Sequence, residues 1–328
     1  MRDSSRITSM GSLVLAMFMV GSSVVAGRLM VEELPVFLGS ALRFALASAL
    51  LVPALLFVEG GLPRLGKRTW AMLTAQSFLG SFAFTVFLLK GLALTSPASA
   101  GIITSATPAF MGLAAWLFFG ERPRGRSLAG IVLAVTGVLA INLDSVTGGS
   151  ELASRPVLGN LLVLAAVGCE TLFLLVRKAL PEDRQRLSPL AVSTLLSLLG
   201  LAFFLPAGLW EAWHHGWPAA GLEAWLAVVW YAVVITVGAY FFWFWGVMRV
   251  DGSMAGVATA ALPLSSVGLS ALVLGERPTA GMLVGCALVL TGILAVSGVR
   301  LPKRFGAGNP NGLRTREARA ESCKSEKC

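Results

Sequence analysis

Apolar residues run in blocks of about 20 along most of this chain, and short polar clusters separate the blocks. A bilayer core of about 30 Å needs about 20 apolar residues per crossing helix, so each block has the length of one span. Ten blocks are counted, at 10–29, 34–58, 69–93, 97–119, 127–143, 157–177, 187–210, 223–247, 253–274 and 280–298. The pattern predicts an all-α polytopic membrane protein with ten transmembrane helices. Asp144 to Pro156, with Gly148 and Gly149, reads as an exposed linker. From Lys303 onward the chain is rich in Gly, Asn and Pro, then charged, and reads as a disordered tail. Residues 1–9, 144–156 and 299–328 are therefore assigned outside the helical units, which occupy 10–143 and 157–298.

The polar breaks also show a duplication. Residues 100–140 align without a gap to 255–295, a shift of 155, and 17 of the 41 positions are identical. Gly120-Glu121-Arg122-Pro123 recurs as Gly275-Glu276-Arg277-Pro278, with Pro108 and Pro263 upstream and Thr136-Gly137 and Thr291-Gly292 downstream. Each copy is half of one object. Arg2, Arg6 and the first apolar run resemble a signal peptide, but cleavage would leave the first unit one helix short, so the run is read as a span.

Composition agrees with the pattern. The chain of 328 residues is 56% hydrophobic and 13% charged, with mean hydropathy +0.78; a soluble domain is about a quarter charged. The net charge of +9 resides mostly in loops and the tail, so it signals cytoplasmic faces and not a nucleic-acid partner. With the N-terminus inside, 21 of the 26 Lys and Arg fall on the cytoplasmic side, four outside, and Arg43 within a span. Both termini are expected in the cytoplasm, with the protein in the inner or plasma membrane. Five spans per unit is an odd number, so the second unit enters upside down. The expected architecture is two inverted five-helix repeats, which suits alternating access to a central site.

The chain resembles the drug/metabolite transporter superfamily, EamA type, over about residues 12–298. The matching features are Pro35…Leu42-Arg43-Phe44, then Ala98-Ser99-Ala100-Gly101…Pro108…Gly120-Glu121-Arg122-Pro123, and their second copy from Gly252 to Gly292. The resemblance implies ten helices, a central cavity, and export or uptake of small metabolites such as amino acids. Span seven departs from span two, with Ser193-Thr194 near where Arg43-Phe44 would fall.

Arg43 is the sharpest candidate for a site. It lies about 13 Å inside its span, a depth at which a charge is costly unless paired. Glu170, about 20 Å deep on span six, is its expected partner. Arg43 could hold a substrate carboxylate in fork geometry, with Glu170 binding an amine or a proton. A structural ion pair between the units is the competing reading. Pro108 and Pro263 are expected to bend their helices as hinges or gates, or as fixed packing kinks, with Thr104 and Thr259 one turn earlier bonding freed carbonyls or a ligand. Tyr240, Trp243 and Phe244 belong to a run of six aromatics and offer a stacking face for a substrate, while an interfacial belt explains part of the run. Glu121 and Glu276, with Arg122 and Arg277, are read as structural: a carboxylate there accepts backbone N–H bonds. Gly130, Gly137, Gly285 and Gly292 predict close helix packing, either between spans five and ten or in a homodimer.

No cofactor or metal is expected. Cys169 and Cys286 read as small hydrophobes, and Cys323 with Cys328 lacks histidine partners. The two histidines, His214 and His215, are adjacent in a loop, which argues against an intramembrane enzyme. The chain lacks a phosphate-binding Gly-x4-Gly-Lys loop and a filter repeat, which argues against an ATP-driven pump and a channel. The expected partners are the bilayer and a small-molecule substrate. Proton coupling through Glu170 is one option, and a non-transporting scaffold or sensor is the alternative function.

Overall fold

The computed structural model describes residues 2–63, 65–121, 123, 125–147, 152–178, 187–250 and 252–297. These lie in one compact unit, Met1–Gly298. Among the described residues all regular structure is helical. The first unit contains α1 (Arg2–Gly21), α2 (Ser23–Glu33), α3 (Val36–Glu59), α4 (Lys67–Ser77), a wide-turn π segment, π1 (Phe78–Ala83), α5 (Phe84–Leu92), α6 (Pro97–Ser105), α7 (Thr107–Phe119) and α8 (Arg126–Thr147). The second contains α9 (Pro156–Lys178), α10 (Pro189–His215), α11 (Leu222–Trp230), π2 (Tyr231–Ala239), α12 (Tyr240–Val247), α13 (Gly252–Ala258), α14 (Ala261–Val273) and α15 (Ala280–Val296).

Eight helical stretches are long and apolar enough to cross a membrane, and α6 with α7 makes a ninth if the pair, bent by 41°, is one span. The last apolar helix, α15, has 17 residues and falls short of that length. Helix α8 continues through Asp144 to Thr147, so the start of the expected linker is helical.

The repeated Gly-Glu is a helix stop. Gly120 and Gly275 adopt left-handed φ of 68° and 66°, which a side chain resists. The next N–H reaches back six residues, Glu121 to the Ala115 carbonyl at 3.4 Å and Glu276 to Ser270 at 3.2 Å. In the first copy the Gly120 N–H also bonds the Trp116 carbonyl at 3.0 Å, the αL form of helix stop, and both loops satisfy carbonyls left over at a helix end.

Glycine also decides how the two units meet. A Cβ on Gly130 would stand 2.6 Å from the Gly292 carbonyl oxygen, and one on Gly137 would stand 2.8 Å from that of Gly285. The reciprocal distances, from Gly292 to Gly130 and from Gly285 to Gly137, are 2.7 and 3.0 Å. Helices α8 and α15 therefore pack backbone to backbone within one chain. Of the two sequence-level options for these glycines, the intramolecular pair is the one formed.

Candidate functional site

The 155-residue shift continues beyond the matched sequence into backbone shape. Shifted by 155, π1 falls within π2. A π turn carries one extra residue per turn and is frequent at functional sites. In π2 the Thr236 hydroxyl fills a wide turn by donating to the Tyr231 carbonyl at 2.9 Å. Ser81 on π1 and Thr236 on π2 are 155 apart, and both line one cleft together with Phe44, Ser193, Leu196, Ser197 and Tyr240. The cleft is partly open and spans about 240 Å³ of space, its solvent-filled mouth included. Four Ser and Thr hydroxyls, one leucine and two aromatic rings form its wall.

Arg43 lies one residue from Phe44 and is 5% exposed. Its guanidinium carbon sits 4.3 Å from the centroid of the Phe44 ring and 4.2 Å from that of Tyr231. Such cation–π contacts contribute about 0.5–2 kcal/mol each. One nitrogen, Nη2, donates to the Thr85 hydroxyl at 3.1 Å, and the buried Nε has no partner. Thr85 is the 155-shifted counterpart of Tyr240.

The expected Arg43–Glu170 pair is not formed. Among the described residues no ion pair joins them, and the Glu170 carboxyl lies 2.7 Å from the Thr107 hydroxyl at the bend between α6 and α7. The two groups face different elements: Arg43 faces α5 and π2, and Glu170 faces the start of α7. Chain depth, from which the pair was expected, carries no information about azimuth around each helix.

The other predicted residues separate into groups. Pro108 and Pro263 stand at the starts of α7 and α14, just after the breaks, so they begin new helical segments where a mid-helix kink was expected. The Thr104 hydroxyl lies 3.0 Å from the carbonyl oxygens of both Ala100 and Gly101 and gives its one hydrogen to this pair, and Thr259 donates to the Gly256 carbonyl at 2.6 Å. Tyr240 lines the cleft, whereas Trp243 packs on Leu13, Ala255 and Ala258. The Phe244 side chain and Arg122 lie outside the described residues. Arg277 is exposed and Glu276 is 4% exposed. Glu276 accepts the Ala98 N–H at 3.1 Å, so the stop loop of the second unit caps the first turn of α6 in the first. Glu121, on the equivalent loop, is exposed. Arg28 pairs with Glu32 at 2.7 Å and donates to the Leu92 carbonyl. No cluster of His, Cys, Asp and Glu fit for a metal occurs among the described residues.

Sequence reasoning missed Ser81, Thr85, Thr107, Ser197, Tyr231 and Thr236. Shifting by 155 beyond the matched block would have paired Ser81 with Thr236 and Thr85 with Tyr240. The partners differ in residue type, and that is why identity counting passes over them.

Comparison with known proteins bears on the family and the fold. The EamA-like transporter family matches residues 8–143 and 157–298, one repeat in each segment. An uncharacterized transporter, YetK, of Bacillus subtilis (strain 168) is 42% identical over 86% of this chain and 84% of its own length. A probable amino-acid metabolite efflux pump of Escherichia coli (strain K12) is 27% identical over 90% of this chain and 98% of its own. A solved crystal structure at 24% identity superposes with a TM-score of 0.59, covering 90% of this chain and 98% of that one, and supports the fold. Two tandem repeats that match the family, a 42% identical transporter relative and a bundle of apolar membrane-length helices place this chain in the EamA-like transporter family, as a multi-pass membrane transporter.

Proposed function

We propose that the chain exports small amino-acid-like metabolites by alternating access, with the substrate carboxylate held by Arg43. Ten spans form two inverted five-helix units, 10–143 and 157–298, with α6–α7, α13–α14 and the short α15 each counted as one crossing and both termini in the cytoplasm. The carrying observation is Arg43 itself: a guanidinium buried in the bundle, stacked between two rings, with Nε unpartnered and, among the described residues, no carboxylate paired with it. A buried cation without an anion is costly, and a ligand carboxylate removes that cost. The cleft beside it offers hydroxyl oxygens to an amine and the Phe44 and Tyr240 rings to a side chain. The efflux-pump name of the Escherichia coli relative supports the substrate class. Proteoliposomes loaded with a radiolabelled amino-acid panel test the reading. Wild-type protein should release at least one member saturably, and Arg43→Gln should abolish that release. Unchanged flux and affinity in Arg43→Gln would remove the assignment.

A further inference from the structure

Glu170 makes a contact whose hydrogens can be counted. Helix α6 ends at Ser105 and α7 begins at Thr107, with Pro108 in its first turn. Proline has no N–H, so Pro108 cannot serve the Thr104 carbonyl four residues back. The Thr107 hydroxyl takes that place, with its Oγ 2.7 Å from the Thr104 carbonyl oxygen. The same Oγ lies 2.7 Å from Glu170 Oε2. A hydroxyl carries one hydrogen, and both a carbonyl and a carboxylate are acceptors only. One hydrogen cannot make two near-linear bonds at that distance. Both contacts are hydrogen bonds only if Glu170 is the neutral acid and donates to Thr107, which then donates to Thr104.

The second unit supplies the contrast. There the residue matching Thr107 is Leu262, and its backbone N–H serves the Thr259 carbonyl at 3.1 Å. That break closes with main chain alone, needs no proton and leaves Met254–Val273 one continuous span. The acid–hydroxyl relay therefore occurs at one of the two matching helix breaks, the one that is bent by 41°.

We infer that Glu170 is a proton-binding site wired to the bend of α6–α7, so that proton release and reshaping of the bend are one event. When the carboxyl loses its proton, Thr107 must turn its hydrogen to the carboxylate. The Thr104 carbonyl then loses its hydroxyl donor and keeps only the cramped contact from the Ala106 N–H two residues on, which favours a change in the bend that restores a second bond. The charged and titratable groups on the elements around α9 leave the site isolated. Helix α4 carries Lys67 and Arg68 at its start, α5 carries Lys90 in its last turn, and α8 carries Arg126 and Asp144 near its two ends. Helices α6 and α7 and segment π1 carry none, and α9 itself adds the neighbouring thiol of Cys169 and, at its far end, Arg177 and Lys178. Among those whose side chains the structure describes, none is ion-paired to Glu170.

This inference rests on the carrier reading for its meaning in transport, so its test begins without transport. Infrared spectra of purified protein, wild type minus Glu170→Gln, should show the C=O stretch of a protonated carboxylic acid at neutral pH. The band should vanish as pH rises, and Thr107→Val should shift it, because the acid loses its acceptor. Absence of the band across the range in which the protein stays folded would overturn the relay, whatever is transported. In proteoliposomes Glu170→Gln, an amide that keeps a donor for Thr107, should retain substrate exchange and lose the response to a pH gradient. If it loses substrate binding instead, Glu170 belongs to the amine site and the proton assignment is wrong. If no substrate moves through wild-type protein while the band is present, the carrier reading fails and the relay stands.

Discussion

At the scale of single residues, the site is an arrangement of donors that the chain itself does not fill. Arg43 makes one side-chain hydrogen bond and two ring contacts, and its Nε has no partner. A guanidinium presents its donors in a planar fork that matches a carboxylate, whereas a lysine ammonium is a point charge that neither forks nor stacks as well. Arg43→Lys should therefore keep the charge and fold and weaken substrate affinity by about 10- to 100-fold, the equivalent of about 1.4–2.8 kcal/mol. Equilibrium binding of the transported amino acid to purified protein checks this, and wild-type affinity in Arg43→Lys would show that charge alone suffices. The residue was legible in the sequence because a lone arginine in an apolar run is conspicuous. Its surroundings were not. Thr85 and Tyr231 are ordinary residues of spans three and eight, and only the wide turns of π1 and π2 and the rotation of each helix bring them to the guanidinium. Thr107 escaped for a related reason. A threonine before a proline reads as local, and its carboxylic partner comes from another helix.

At the scale of elements, the sequence carried the stops and breaks but not the partners. Gly120 and Gly275 end helices because a left-handed turn closes there, and Pro108 and Pro263 fix where the next segments begin. These are local effects, written in residue type. The π segments carry no such mark, since FLGSFA and YAVVITVGA contain no proline and have ordinary span composition. Glu276 was expected to serve its own loop and instead caps α6 of the other unit, a tertiary choice that no local pattern records. Replacing Glu276 by Ala removes a cap worth about 1 kcal/mol and leaves the Ala98 N–H unpaired. The expected result is a melting temperature a few degrees lower, with Arg277→Ala, on an exposed side chain, unchanged. The glycine seam of α8 and α15 is harsher. Gly137→Leu would drive a side chain into the Gly285 carbonyl, and overpacking of this kind costs about 1–3 kcal/mol or more. Thermal unfolding in detergent should show a clear loss for Gly137→Leu and none for Leu139→Ala, which lies on the lipid-facing side of the same helix. Equal effects would mean that the seam does not hold the units together.

At the scale of the whole molecule, the two units repeat in shape and differ in chemistry. The stop loops agree in φ and hydrogen bonding, the helix breaks occur at matching places and the π turns fall in register, while Thr107 matches Leu262 and helix α10 carries no arginine to match Arg43. A duplicated scaffold of this kind can have two forms of similar energy, exchanged across a pseudo-two-fold axis, while one chemically distinct half binds the cargo. In this conformation Glu276 is buried and accepts the Ala98 N–H of α6, whereas Glu121 on the matching loop is exposed. If the units are inverted, these loops lie on opposite faces. The geometry of insertion decides this. The flanking charges point the same way, since the first copy continues Arg124-Gly125-Arg126 and the second Thr279-Ala280-Gly281, as expected where positive charge is kept on the cytoplasmic face. In a background with the four native cysteines replaced, Arg122→Cys and Arg277→Cys should react with a membrane-impermeant thiol reagent from opposite sides of intact cells or oriented vesicles. Arg277→Cys should label from outside and Arg122→Cys only after the cytoplasmic face is exposed. Labelling of both from one face would make the units parallel. The two bends could not then exchange roles across the bilayer, and the alternating-access proposal would lose its symmetry argument even with Arg43 and its cleft intact.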